Sequence, residues 1–123
     1  MARKVTQPRR GEVWLVNFDP SLGAEIKKTR PALILQNDVG NRLSPVTIVG
    51  AITSTLKKPY PFQVFLRSGS TGLDVDSVVT LNQIRSIDRT RLVRKLGKLS
   101  PAIMLEVDRA LIVSLAIDVD GLK

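Results

Sequence analysis

Hydrophobic and polar positions follow two different periods along the chain, and the change of period divides it. Gly11–Phe18 alternates, with Trp14, Val16 and Phe18 on one side and Val13 and Leu15 on the other, which predicts a largely buried strand. Asp19–Arg30, with Asp19-Pro20, Gly23 and the Lys27-Lys28 pair, has no period and predicts a loop. Pro31 leads into Ala32–Gln36, a short apolar run suited to a central strand, and Asn37–Pro45 predicts a second loop. Val46–Ile52 is rich in β-branched residues and predicts a third strand. The basic, Pro-containing connection Lys57–Pro61 leads to a fourth strand at Phe62–Leu66. Gly69–Gly72 predicts a turn, Ser77–Leu81 a fifth strand, and residues 84–88 a candidate sixth.

From Ser100 the period becomes helical. Ser100 and Pro101 are suited to the N-cap and first turn, and a helix is predicted from about Pro101 to Ile117. Ile103, Val107, Ala110, Leu111, Ser114 and Leu115 share one stripe, with Glu106, Asp108 and Arg109 opposite. Five or six short strands and a terminal helix imply one domain over residues 1–123, α+β or mainly β. A strongly bent antiparallel sheet or partly open barrel fits that content.

Composition narrows the chemistry. The 123 residues contain neither cysteine nor histidine, which removes disulfides, thiolate nucleophiles, the usual proton carrier near neutral pH and the commonest zinc ligands. Nineteen basic against eleven acidic residues give a net charge of +8. That excess is concentrated: residues 1–30 hold seven basic and three acidic side chains, and residues 85–98 hold six and one. A basic face of this kind suits a polyanion such as nucleic acid, because neutralised phosphates release their counterions. Met1–Arg10 has no apolar stretch to act as a secretory signal, and no apolar run approaches the roughly 20 residues of a membrane span. The expectation is a soluble cytoplasmic protein that does not enter membranes.

Several mechanisms lack their parts. No phosphate-binding loop of the Walker type is present, and Gly69–Gly72 reads as a hairpin turn instead. Asp74 and Asp76 supply too few oxygens for a hard cation, so no metal or cofactor is expected. Serine acyl transfer has no base, and spacing singles out no pair among the carboxylates Glu12, Asp19 and Glu25. RNA cleavage suits the remaining arginines and hydroxyls, because the substrate's 2′-OH is itself the nucleophile. The protein must then hold the ribose in line and neutralise the phosphorane, a task suited to a guanidinium.

The residues also carry a resemblance. Arg10-Gly11-Glu12 through Phe18, Asp19-Pro20, Gly23-Ala24-Glu25 and Lys28 through Leu35 come first. Gln36-Asn37-Asp38, Ile52 through Thr55, Ser77 through Arg85, Ile87-Asp88 and the terminal helix follow. This ordered set resembles the MazF/PemK toxins over about residues 9–117. The resemblance implies an SH3-like barrel of the CcdB/PemK type with a C-terminal helix. It implies a homodimeric, sequence-specific, metal-independent endoribonuclease acting on single-stranded RNA, paired with an acidic, MazE-like antitoxin whose tail competes for the same groove. Residue by residue, it implies that Arg30 and Thr53 are catalytic and that Arg10, Glu25, Ser77, Gln83 and Arg85 bind RNA. Tyr60, in its basic Pro-flanked loop, is a candidate base-stacking platform on its own chemistry. Trp14 and Phe18 are expected in the core, and Arg89, Arg91, Arg94, Lys95 and Lys98 are expected to attract phosphates or an acidic partner. Two other readings compete: a non-cleaving gyrase poison similar to CcdB, and a barrel that only binds RNA or peptide. The former acts through a Trp-Gly-Ile tail, whereas this chain ends Asp118 through Lys123.

Overall fold

A computed structural model describes residues 7–18, 29–54, 60–69 and 71–123. Its strands are β1 (Glu12–Asn17), β2 (Thr29–Ile34), β3 (Val46–Thr53), β4 (Gln63–Leu66), β5 (Ser77–Asp88) and β6 (Leu92–Lys98). Helix α1 (Asp38–Leu43) lies between β2 and β3, and α2 (Pro101–Leu115) follows β6. The strands form one sheet in the order β4-β5-β3-β2-β1-β6, with every pairing antiparallel.

The two faces of the sheet bury different clusters, and register shifts in the β1–β6 and β3–β5 pairings bend it. Val13, Leu33, Ile52, Val79 and Leu81 point to one face and pack with Val107 and Ala110 of α2. Val16, Ala32, Ile34, Val49, Ile87 and Leu92 pack on the other, flanked by half-buried Trp14 and Phe18. The period-two alternation is what sorts these residues between the faces. Ser100 caps α2 by accepting from the Ile103 N–H at 3.2 Å, and Ser114 Oγ donates to the Leu81 carbonyl at 2.7 Å. The helix stops at Leu115 rather than Ile117 because Ala116 turns into the left-handed region, at φ 54°. Leu115, expected on the buried stripe, is 57% exposed.

Three other elements depart from the sequence expectation. Asn37–Pro45 is not a loop throughout: Asn37 accepts from the Gly40 N–H at 2.8 Å and starts α1. Asn41 of that helix is fully buried and accepts from Thr47 Oγ1 at 2.7 Å while its amide donates to the Gln36 carbonyl at 2.9 Å. The fifth strand and the candidate sixth are one strand, β5, with residues 81–83 bulged between Thr80↔Ala51 and Ile84↔Gly50. Residues 92–98, taken only as a charged segment, form β6 against β1.

The loop joining β4 to β5 closes the half-barrel by pressing on β6, backbone to backbone. A Cβ on Gly72 would lie 2.0 Å from the Leu96 carbonyl oxygen, and one on Gly97 would lie 2.4 Å from that of Thr71. Glycines on both sides of the seam permit this approach, and Gly72 also needs its φ of +79°.

Candidate active site

Arg30 and Thr53 reach one surface through the register of β2 and β3. Pro31 has no N–H to give to a ladder, and the β2–β3 pairing stops at Ala32↔Ala51, next to it. Continuing that register two residues sets Arg30 across from Thr53, on the face already holding Ala32 and Ala51. Pro31 also holds Arg30 in extended backbone, fixing the direction in which its side chain leaves the strand. Arg30 is exposed and Thr53 half-buried.

Both residues line two adjacent clefts, so they form the ridge between them. The first cleft, about 560 Å³, is completed by Ser54, Asp74, Ser77 and Arg94 over an apolar floor that includes Leu15, Pro31 and Leu96. The second, about 540 Å³, is completed by Phe18, Ala51, Ile52, Gln83, Ile84 and Arg85. Gln83 reaches the second cleft because the bulge at 81–83 pushes it out of the ladder. Arg85 lies across Phe18, with its guanidinium carbon 5.1 Å from the ring centroid. This cation–π contact fixes a positive charge at the cleft wall while leaving the guanidinium edge available for donation.

The remaining site candidates separate. Ser77 borders the first cleft but is only 3% exposed, and its hydroxyl donates to the Val75 carbonyl at 2.9 Å. It therefore holds the cleft wall. Arg10 lines neither cleft. Its Nε donates to the Leu35 carbonyl at 2.7 Å and its terminal nitrogen pairs with Asp108 of α2 at 2.8 Å. Tyr60 also lines neither cleft, and one face of its ring is stacked on Phe62 at 5.2 Å. Glu25 lies outside the described residues.

The other carboxylates prove structural or isolated. Glu12 is buried, accepting from Trp14 Nε1 at 2.8 Å and the Arg9 N–H at 2.9 Å and pairing with Lys95 at 3.1 Å. Burial raises the Glu12 pKa, but these three donors outweigh it and hold the carboxyl below its ordinary value. Asp76 accepts from the Ser68 N–H at 2.8 Å, while Asp74 borders the first cleft, so the pair does different work. Among the described residues no three Asp or Glu side chains gather to hold a metal ion.

The basic segment divides in the same way. Arg89 and Arg91 donate to the carbonyls of Ser44 and Asn17, and Lys95 belongs to Glu12. Arg94, read from the sequence only as part of a positive field, lines the first cleft.

The chain is also similar to known proteins in sequence and in fold. Residues 9–115 match the model of the PemK-like, MazF-like toxins of type II toxin–antitoxin systems. The chain is 45% identical over 111 residues to the endoribonuclease MazF of Staphylococcus epidermidis, covering 89% of this chain and 92% of that one. It is similar in fold to MazF of Deinococcus radiodurans, with a TM-score of 0.73 and 30% identity over 91% of this chain and 99% of that one. A MazE–MazF structure from the same organism matches at a TM-score of 0.75 and 29% identity, over 92% of this chain and 100% of the other. With nearly its whole length matched in sequence and in fold, the chain belongs to the family of PemK-like, MazF-like toxins of type II toxin–antitoxin systems.

Proposed function

We propose that this chain is the toxin of a toxin–antitoxin pair, a sequence-specific endoribonuclease that cuts single-stranded RNA without a metal ion. The observation that carries the reading is the shared ridge, with Arg30 and Thr53 bordering both clefts. A strand laid over that ridge has one phosphodiester between the two side chains and its flanking nucleotides in the clefts.

In this mechanism the 2′-oxygen attacks phosphorus, the bond from phosphorus to the 5′-oxygen breaks, and the products are a 2′,3′-cyclic phosphate and a 5′-OH. The 2′-hydroxyl gives up its proton and the leaving oxygen gains one. Arg30 binds two phosphate oxygens as negative charge builds on them, and the Thr53 hydroxyl donates to the same group. Gln83 and Arg85 meet the base edges and backbone in the second cleft. Glu25 accepts from a base amino group or positions the 2′-OH.

The partner in this reading is an acidic MazE-like antitoxin that competes with RNA for the clefts, and the toxin works as a cytoplasmic homodimer. Support comes from the related MazE–MazF assembly and from the basic groups lining the clefts. Among the described residues no helix is long and apolar enough to cross a membrane.

The test is incubation with long single-stranded RNA in excess EDTA, beside an Arg30→Ala variant. Cleavage at defined sites by the wild type, reduced about 10²- to 10³-fold in the variant, is the expected result. Intact RNA with both proteins overturns the reading in favour of an RNA-binding barrel or a gyrase poison.

A further inference from the structure

The first cleft holds a second guanidinium besides that of Arg30, and a bulge in β6 aims it there. Val16 pairs with Leu92, but Leu15 pairs with Arg94, so Val93 is an extra residue between them. Regular alternation would put Arg94 on the same face as Leu92, which is buried against Val16. The extra residue moves Arg94 to the face of Leu15 and into the cleft. Leu15 also pairs with Pro31, so Arg94 and Pro31 flank it on neighbouring strands. Two strand spacings set the Arg94 and Pro31 backbones about 10 Å apart, and Arg30, the chain neighbour of Pro31, lines the same cleft.

Arg94 is exposed, and neither it nor Arg30 has a hydrogen-bond or ion-pair partner among the described residues. Arg89, Arg91 and Lys95 of the same segment are all engaged by protein groups. Asp74 borders the same cleft without pairing to either guanidinium.

Resting on the endoribonuclease reading, we infer that Arg94 is a positioning residue that holds a phosphate next to the scissile one, so that the strand is gripped at two successive phosphates. Arg30 acts on the phosphate being cut; Arg94 fixes the strand's course across the ridge. It raises affinity for the strand without stabilising the phosphorane.

The experiment uses the full chain and a short RNA containing a mapped cleavage site. Arg94→Ala is expected to raise KM about tenfold, with kcat changed less than about threefold. The dependence of log binding on log salt becomes shallower by about one. Arg94→Lys restores the salt slope but only part of the affinity, since an ammonium lacks the bidentate fork. Replacing single flanking phosphates by neutral methylphosphonates identifies one position at which wild type and Arg94→Ala become equal. Equal KM and salt slope for wild type and Arg94→Ala overturn the inference, as does a defect that no neutral phosphate abolishes. If the wild type cuts no RNA, the endoribonuclease reading fails and this inference with it. If the wild type cuts and Arg94→Ala cuts equally well, only the inference fails.

Discussion

The seam between the β4–β5 loop and β6 gives a quantitative test, because two glycines of one loop share a conformation but differ in their surroundings. Gly69 has φ +84° and nothing within 4 Å of a built Cβ. Gly72 has φ +79°, and its Cβ would lie 2.0 Å from the Leu96 oxygen and 2.6 Å from its carbon. Alanine at either site takes on the left-handed penalty of about 1–2 kcal/mol. The small gain from a stiffer unfolded chain is common to both and cancels in the comparison. Only Gly72→Ala must also push backbone away from backbone, an overpacking cost of about 1–3 kcal/mol. Gly69→Ala should therefore destabilise by about 1–2 kcal/mol and Gly72→Ala by about 2–5 kcal/mol. In urea melts, with a slope of about 1–3 kcal/mol/M, a 2 kcal/mol difference separates the two midpoints by about 1 M. Gly72, Leu73, Asp74 and Val75 all border the first cleft, so the displaced wall of Gly72→Ala should also raise KM for RNA. Equal midpoints for the two variants would refute the close-packed seam.

Two further predictions rest on buried polar groups. Thr71 Oγ1 is buried with no hydrogen-bond partner among the described residues. The near-isosteric Thr71→Val should leave stability unchanged or raise it by about 1 kcal/mol in thermal melts, and a loss above about 1 kcal/mol would show that the hydroxyl is satisfied. Glu12 has a pKa lowered from 4.5, so its contribution is fully present above that pH and fades as pH falls through the lowered value. Glu12→Gln should be about 1–2 kcal/mol less stable than wild type at neutral pH, with the gap in Tm closing below pH 4.5. A gap independent of pH contradicts a charged Glu12 in the fold.

The sequence shows most clearly those parts of the molecule in which burial follows a regular period. β1, the apolar half of β2, β3, β4 and α2 all alternate or stripe cleanly, and they form close to where that pattern puts them. α1 was hidden because Asn37, Asp38, Gly40 and Asn41 are turn formers by composition. Here Asn37 caps the helix and Asn41 turns inward to a set of buried partners. β6 was hidden because its register against β1 shifts twice, which breaks the alternation a reader looks for. The same shift aims Arg94, so its place in a cleft carries no local signal. Arg30 and Thr53 were legible only through the family resemblance, whose Arg-Pro and Ile-Thr motifs they match. Arg10 shows the opposite case, since a basic residue in a matching motif is held by Leu35 and Asp108 away from both clefts.

The central claim is that this His-free and Cys-free protein relies on a nucleophile carried by its substrate. The most direct measurement compares cleavage and binding of two RNAs that differ only by a 2′-deoxy sugar on the 5′ side of the mapped cut. The prediction is that the deoxy strand binds within about threefold of the native one, since its phosphates are unchanged, and is not cleaved at that bond. Cleavage of the deoxy strand at the same bond would contradict it, because the attacking oxygen would then have to come from water or from the protein.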